Sequence, residues 1–167
     1  GNTATAGVVS GTATVGYTSI GQVGTGLSDV APDQSSESLT ISGKIYRLAT
    51  GSYTGTTSLA FGKIHAGTSI QTDSIQIANT ATNDGFSDSL RITPTPNDSA
   101  ILIGGTSKLL SPNEQTSYTI SYNTDGSSLG IISSTLTFSL QSVGVTGSGL
   151  SDICLLYTSD AADDTPC

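Results

Sequence analysis

One stretch of this chain occurs twice, and that duplication limits what the rest can fold into. Residues 7–30 read GVVSGTATVGYTSIGQVGTGLSDV, and residues 130–153 read GIISSTLTFSLQSVGVTGSGLSDI. They align without a gap at an offset of 123. Identities include Gly7/Gly130, Ser10/Ser133, Thr12/Thr135, Thr14/Thr137, Ser19/Ser142, Gly21/Gly144 and Gly24/Gly147, then Gly26-Leu27-Ser28-Asp29 against Gly149-Leu150-Ser151-Asp152. Val8/Ile131, Val9/Ile132, Ile20/Val143 and Val30/Ile153 are conservative. Such a period is too long for a solenoid unit and suits a whole β-sandwich domain of roughly 100 residues. The expected organisation is the C-terminal part of one unit over 1–49 and most of a second over 50–153, with its last strand missing. A strand over 38–49 that instead completes the second unit is the alternative frame.

Composition agrees with strands. Of 167 residues, 53 are Ser or Thr, 20 are Gly, 35% are hydrophobic and only 11% are charged. Disorder calls for low hydrophobicity together with high charge, and here charge is low while β-branched residues abound. Helix formers are scarce, with no Met and two Glu. The fold class expected is all-β: an antiparallel immunoglobulin-like β-sandwich in tandem repeat.

Alternation predicts strands over 8–19 (Val9, Val15 and Tyr17 against Thr12, Thr14 and Thr18), 38–48, 57–64 and 69–78, where Ile70, Ile75 and Ile77 mark the buried face. Further strands are expected at 89–95, ended by Pro94 and Pro96, and at 100–103, 107–110, 115–123 and 131–143. Tyr118, Ile120 and Tyr122 alternate against Thr119 and Ser121. Polar turns are expected at Asn83-Asp84-Gly85 and Asn123-Thr124-Asp125-Gly126.

The formal net charge is −8, with five Lys and Arg scattered along the chain. Phosphate backbones attract clustered cations, so no nucleic-acid partner is expected. The acidity reads as solubility. No run of 18 apolar residues is present, so no membrane span is expected in this fragment. No signal peptide is read at the start, and both ends are expected to be truncations.

The string Cys154-Leu155-Leu156-Tyr157-Thr158-Ser159-Asp160-Ala161-Ala162-Asp163-Asp164 interrupts the duplication. It resembles a translated sequencing adapter, a transposase mosaic end followed by the start of a primer arm, so residues 154–167 are expected to be non-native. Both cysteines, Cys154 and Cys167, fall in or after that string. Without it no disulfide framework or thiolate metal site remains; a short C-terminal disulfide loop is the competing reading.

No catalytic, cofactor-binding or metal residue is assigned. His65 is the only histidine; a triad would need it beside a Ser and an Asp, no Gly-x-Ser-x-Gly elbow is present, and a loop histidine before Ala66-Gly67 is expected. Asn83, Asp84 and Asp88 with Asn79 could offer calcium oxygens, but the loop is short of acids and reads as a turn. The Gly-rich stretch 21–26 lacks the Lys and the strand-to-helix context of a phosphate cradle, and Gly43 and Gly147-Ser148-Gly149 are expected in repeat turns and not in a nucleophile elbow. Asn97-Asp98-Ser99 fits a glycosylation acceptor, a motif common by chance.

Three segments together resemble a known family. They are Leu59-Ala60-Phe61-Gly62-Lys63-Ile64-His65-Ala66-Gly67, Ile75 to Leu90, and Ile41 to Ala49. The pattern Phe-Gly-x-x-x-x-Gly, followed by a strand ending in Asn79-Thr80, is similar to the choice-of-anchor D modules of bacterial surface proteins and to the broader Hydin-type immunoglobulin-like domains. The resemblance implies tandem sandwiches, exported and held at the cell surface or outer membrane by an anchor, with no catalytic residues to transfer. The function expected is a non-catalytic spacer or adhesive module with neighbouring repeats as contacts. The alternatives are a glycan- or protein-binding module acting through sandwich-end loops, and a non-catalytic arm of a large secreted hydrolase.

Overall fold

Alternating Thr, Ser and aliphatic residues favour extended backbone with one wet and one apolar face. A computed structural model describes residues 5–33, 35–55, 58–67, 71–124 and 130–155, residue 71 by its backbone alone. Among the described residues there are strands and no helix. The chain divides into two compact units after Ile45.

In the first unit, β1 (Gly7–Gly16) and β2 (Ser36–Ile45) pair antiparallel, with Gly7 opposite Ile45 and Gly16 opposite Ser36. Opposed residues share a face. One face therefore carries Val9, Ala13 and Val15 with Leu39, Ile41 and Ile45; the other carries Ser10, Thr12 and Thr14 with Ser38, Thr40 and Ser42. The apolar face is left open: Leu39 is 64% and Ile41 59% exposed. A two-stranded ribbon cannot bury its own apolar face.

The second unit comprises β3 (Gly51–Thr54), β4 (Gln71–Asn79), β5 (Ser89–Pro96), β6 (Ile101–Gly104), β7 (Lys108–Leu110), β8 (Gln115–Tyr122), β9 (Leu136–Val143) and β10 (Ile153–Leu155). These make two antiparallel four-stranded sheets, ordered β3-β4-β8-β6 and β10-β9-β5-β7. Buried Ile77 and Tyr118 from the first sheet and Leu90, Ile92 and Leu110 from the second form one core, with Ala49. Ile75, Ile103, Phe138, Leu140 and Leu155 pack around it. The Tyr118 and Phe138 rings lie 5.3 Å apart in a tilted arrangement, a favoured aromatic geometry. Tyr118, Ile120 and Tyr122 are buried, as their alternation requires.

Several local expectations are corrected. No strand runs through the described residues 58–64; Gly62 sits at φ +72°, a left-handed position that breaks an extended run. Pro94 lies inside β5, opposite Phe138, while Pro96 is the last residue of the strand, opposite Leu136. β7 pairs only with Leu90–Ile92, so beyond Ile92 that side of β5 is an edge where a missing N–H costs nothing. Tyr46–Ala49 leave β2 and join the second unit. The Arg47 N–H donates to Phe86 O, the Asp88 N–H donates to Arg47 O, and Ala49 enters the core. The strand from Ser36 to Ile45 pairs with β1. Thr57, Ser69, Ile70, the Asp125-Gly126 half of the second turn and the tail from Leu156 to Cys167 lie outside the described residues.

Candidate functional site

The loop joining β4 to β5 gathers most of the side chains with ligand chemistry, and Asn79 opens it. This residue ends β4 and is buried. Its amide nitrogen donates to Asp88 O at 3.1 Å and Leu110 O at 3.3 Å. Its Oδ1 accepts from the N–H groups of Thr50 and Ala81, both at 3.2 Å. Its own backbone bonds to the Glu114 and Asn113 peptides. Its side chain thus ties together the segments entering β3 and β5 and the end of β7, and its backbone adds the segment entering β8. Thr80 follows and clasps Thr50 O through both its N–H and its hydroxyl.

Asp84 closes the turn. Its Oδ1 accepts the Phe86 N–H at 2.9 Å and the Ser87 hydroxyl at 3.3 Å, and its Oδ2 meets the Arg47 guanidinium at 2.9 Å. The Phe86 N–H first, then Arg47, hold its carboxyl below the ordinary value, because each stabilises the ionised form. Gly85 supplies φ +78°. Asp88 points inward: Oδ2 accepts from the Ser142 hydroxyl at 2.9 Å and Oδ1 from the Val145 N–H at 3.2 Å. The Ser142 oxygen in turn accepts the Ala49 N–H at 2.8 Å.

Calcium binding needs six to eight oxygens converging on one point. Here Asn79, Asp84 and Asp88 each face different protein donors. Among the described residues no group of three or more His, Cys, Asp or Glu could hold a metal ion. The buried Ser142–Asp88 pair is fully enclosed, so its hydroxyl is out of reach of a substrate. His65 is exposed in the loop between β3 and β4, just before the Ala66-Gly67 turn. No helix of the described residues is long and apolar enough to cross a membrane.

Asn97-Asp98-Ser99 is a structural corner. Asn97 Oδ1 accepts the Thr135 N–H at 2.7 Å. Asp98 accepts from the Ala100 N–H, the Ser134 hydroxyl and the Tyr122 hydroxyl. The Ala100 N–H and then the Ser134 hydroxyl lower the Asp98 carboxyl below its ordinary value.

The duplicated Gly-rich segments form loops of one shape. Ser19 pairs with Val30, and Ser142 with Ile153, both antiparallel and both at the offset of 123. Gly24 and Gly147 have φ of +88° and +81°, and Gly26 and Gly149 have +70° and +74°. Thr25 N–H donates to Gln22 O, and Ser148 N–H to Val145 O. The Leu27 N–H reaches the Thr25 hydroxyl as the Leu150 N–H reaches the Ser148 hydroxyl. A Cβ on Gly144 would lie 2.7 Å from Leu150 O, and one on Gly21 would collide with Leu27 O. Only glycine fits at either corner.

In the sequence Asn79 stands out only as a possible calcium oxygen at a strand end, and nothing there marks it as a buried tie between strands. Ser142 was visible only as an identity with Ser19. The first two residues of the adapter-like string, Cys154 and Leu155, lie in β10 opposite Gln141 and Leu140.

Comparison with family models, with curated proteins and with solved structures finds no match to this chain.

Proposed function

We propose that this chain is a non-catalytic spacer module from an exported bacterial cell-surface protein, built from tandem immunoglobulin-like sandwiches. The observation that carries this reading is the pair of loops 19–30 and 142–153, alike in pairing, glycine dihedrals and hydrogen bonds. Repeated units of one shape suit a protein whose task is length. The commitment of Asn79, Asp84, Asp88, Asn97 and Asp98 to the fold's own donors and acceptors supports the same reading. The side chains best suited to holding a ligand are occupied in holding loops.

Small-angle scattering on proteins carrying increasing numbers of the full-length gene's repeats tests the proposal. The maximum dimension is expected to grow by a constant increment per repeat. A glycan or host-protein array is expected to give no saturable signal. Saturable binding abolished by replacing the loop 83–87 would overturn the spacer reading in favour of the binding module.

A further inference from the structure

The apolar face of the β1–β2 hairpin has a specific counterpart in the second unit. At the offset of 123, Val15 corresponds to Phe138, Tyr17 to Leu140 and Ser19 to Ser142. Phe138 and Leu140 are the β9 side chains that pack on the core, where Phe138 meets the Tyr118 ring of the opposite sheet. Ser142 reaches Asp88. The residues on β1 that should face a core are Val9, Ala13 and Val15. Val9, Ala13 and Ile41 line a shallow groove in which Gly11 and Gly43 leave room for side chains from outside. Val15 remains 52%, Leu39 64% and Ile41 59% exposed.

We infer that this face is a docking surface for one occupant: a sheet equivalent to β3-β4-β8-β6, supplied by a preceding copy of residues 46–129 in the same polypeptide. The inference rests on the tandem-repeat reading and names the face, the partner sheet and the anchoring contacts. Val15 would meet the equivalent of Tyr118 on that sheet, and Ser19 the equivalent of Asp88, which in the same copy leads into the β5 equivalent. The polar face of Thr12, Thr14, Thr40 and Ser42 would stay in water. A hairpin with this alternation is the last ribbon of a two-layered unit, open here on the side where the other layer belongs.

The test replaces residues 1–6 of the full chain with a copy of residues 46–129, restoring a whole unit ahead of the native one. Amide exchange is followed by NMR in the extended and original proteins. The extended protein is expected to show a second set of folded resonances. Protection of β1 and β2 amides is expected to rise at least about 100-fold. Leu39→Lys is expected to abolish that gain and to leave the original chain's spectrum unchanged outside its neighbourhood. If the added copy folds while β1 and β2 stay unprotected and Leu39→Lys is silent, the docking inference fails and the repeat reading survives. If the added copy stays unfolded, the repeat reading fails and takes the inference with it. Protection already present in the original chain, with a dimer in sedimentation, would give the face to a second copy and overturn the inference.

Discussion

Ser19 and Ser142 occupy matching places in matching loops, yet Ser142 is buried between Asp88 and Ala49 whereas Ser19 is exposed. The same contrast separates the strands beside them. β9 sends Phe138 and Leu140 into a core, and β1 presents Val9 and Val15 to solvent. Loop shape follows from residues a few positions apart, namely the glycines at φ near +70° to +90° and the Gly21 and Gly144 corners. Burial depends on residues tens of positions away, such as Asp88 and Tyr118. The two units therefore separate what short-range sequence encodes from what only a complete pair of sheets provides.

The largest expected effect comes from truncating equivalent apolar positions in the two units. Ile92→Ala should cost the second unit about 2–5 kcal/mol by opening a cavity in a core where Ile92 is fully enclosed. Ile41→Ala on the exposed hairpin face should stay within about 0.5 kcal/mol. Urea unfolding measures both; similar costs would mean that the hairpin is packed and the contrast is false.

A smaller effect isolates the polar network. Ser142→Ala removes the hydroxyl that links Ala49 N–H to Asp88, and leaving those buried groups unmatched should cost about 1–3 kcal/mol. Ser19→Ala, its counterpart, should be nearly neutral. Equal losses would show that Ser19 already has a buried partner.

Acid should act most gently. The Phe86 N–H and Arg47 hold the Asp84 carboxyl, and the Ala100 N–H and Ser134 hydroxyl the Asp98 carboxyl, below the ordinary carboxylate value. Their stabilisation is complete above the unfolded value and is lost as pH falls through the lowered folded values. Thermal unfolding of the second unit should therefore shift to lower temperature below about pH 4. Asp98→Asn should flatten part of that slope, and an unchanged slope would remove Asp98 from the account.

Much of the strand pattern was legible because alternation is a local signal. Tyr118, Ile120 and Tyr122 fall as their spacing requires, and β4, β5 and β8 lie within a residue or two of expectation. β3 was missed because Gly51-Ser52-Tyr53-Thr54 has no alternation of its own; it is a strand because Ser52 and Tyr53 pair with Ala78 and Ile77. The expected strand at 57–64 carried apolar residues, and Gly62 interrupts it. β10 was hidden at the junction with the adapter-like string. Asn79 illustrates the limit for the candidate site: its four side-chain bonds reach Thr50, Ala81, Asp88 and Leu110, and three of those partners are unrelated to it by any spacing rule. The duplication could be read directly, but what each copy packs against could not.

Residue-resolved amide exchange on the unaltered chain tests the central contrast most directly. Ile77, Leu90, Ile92, Tyr118 and Ile120 are expected to exchange only through global opening of the second unit, while β1 and β2 amides exchange through local opening many orders of magnitude faster. Equal protection across both units would contradict the account, because it would require the hairpin face to be already covered.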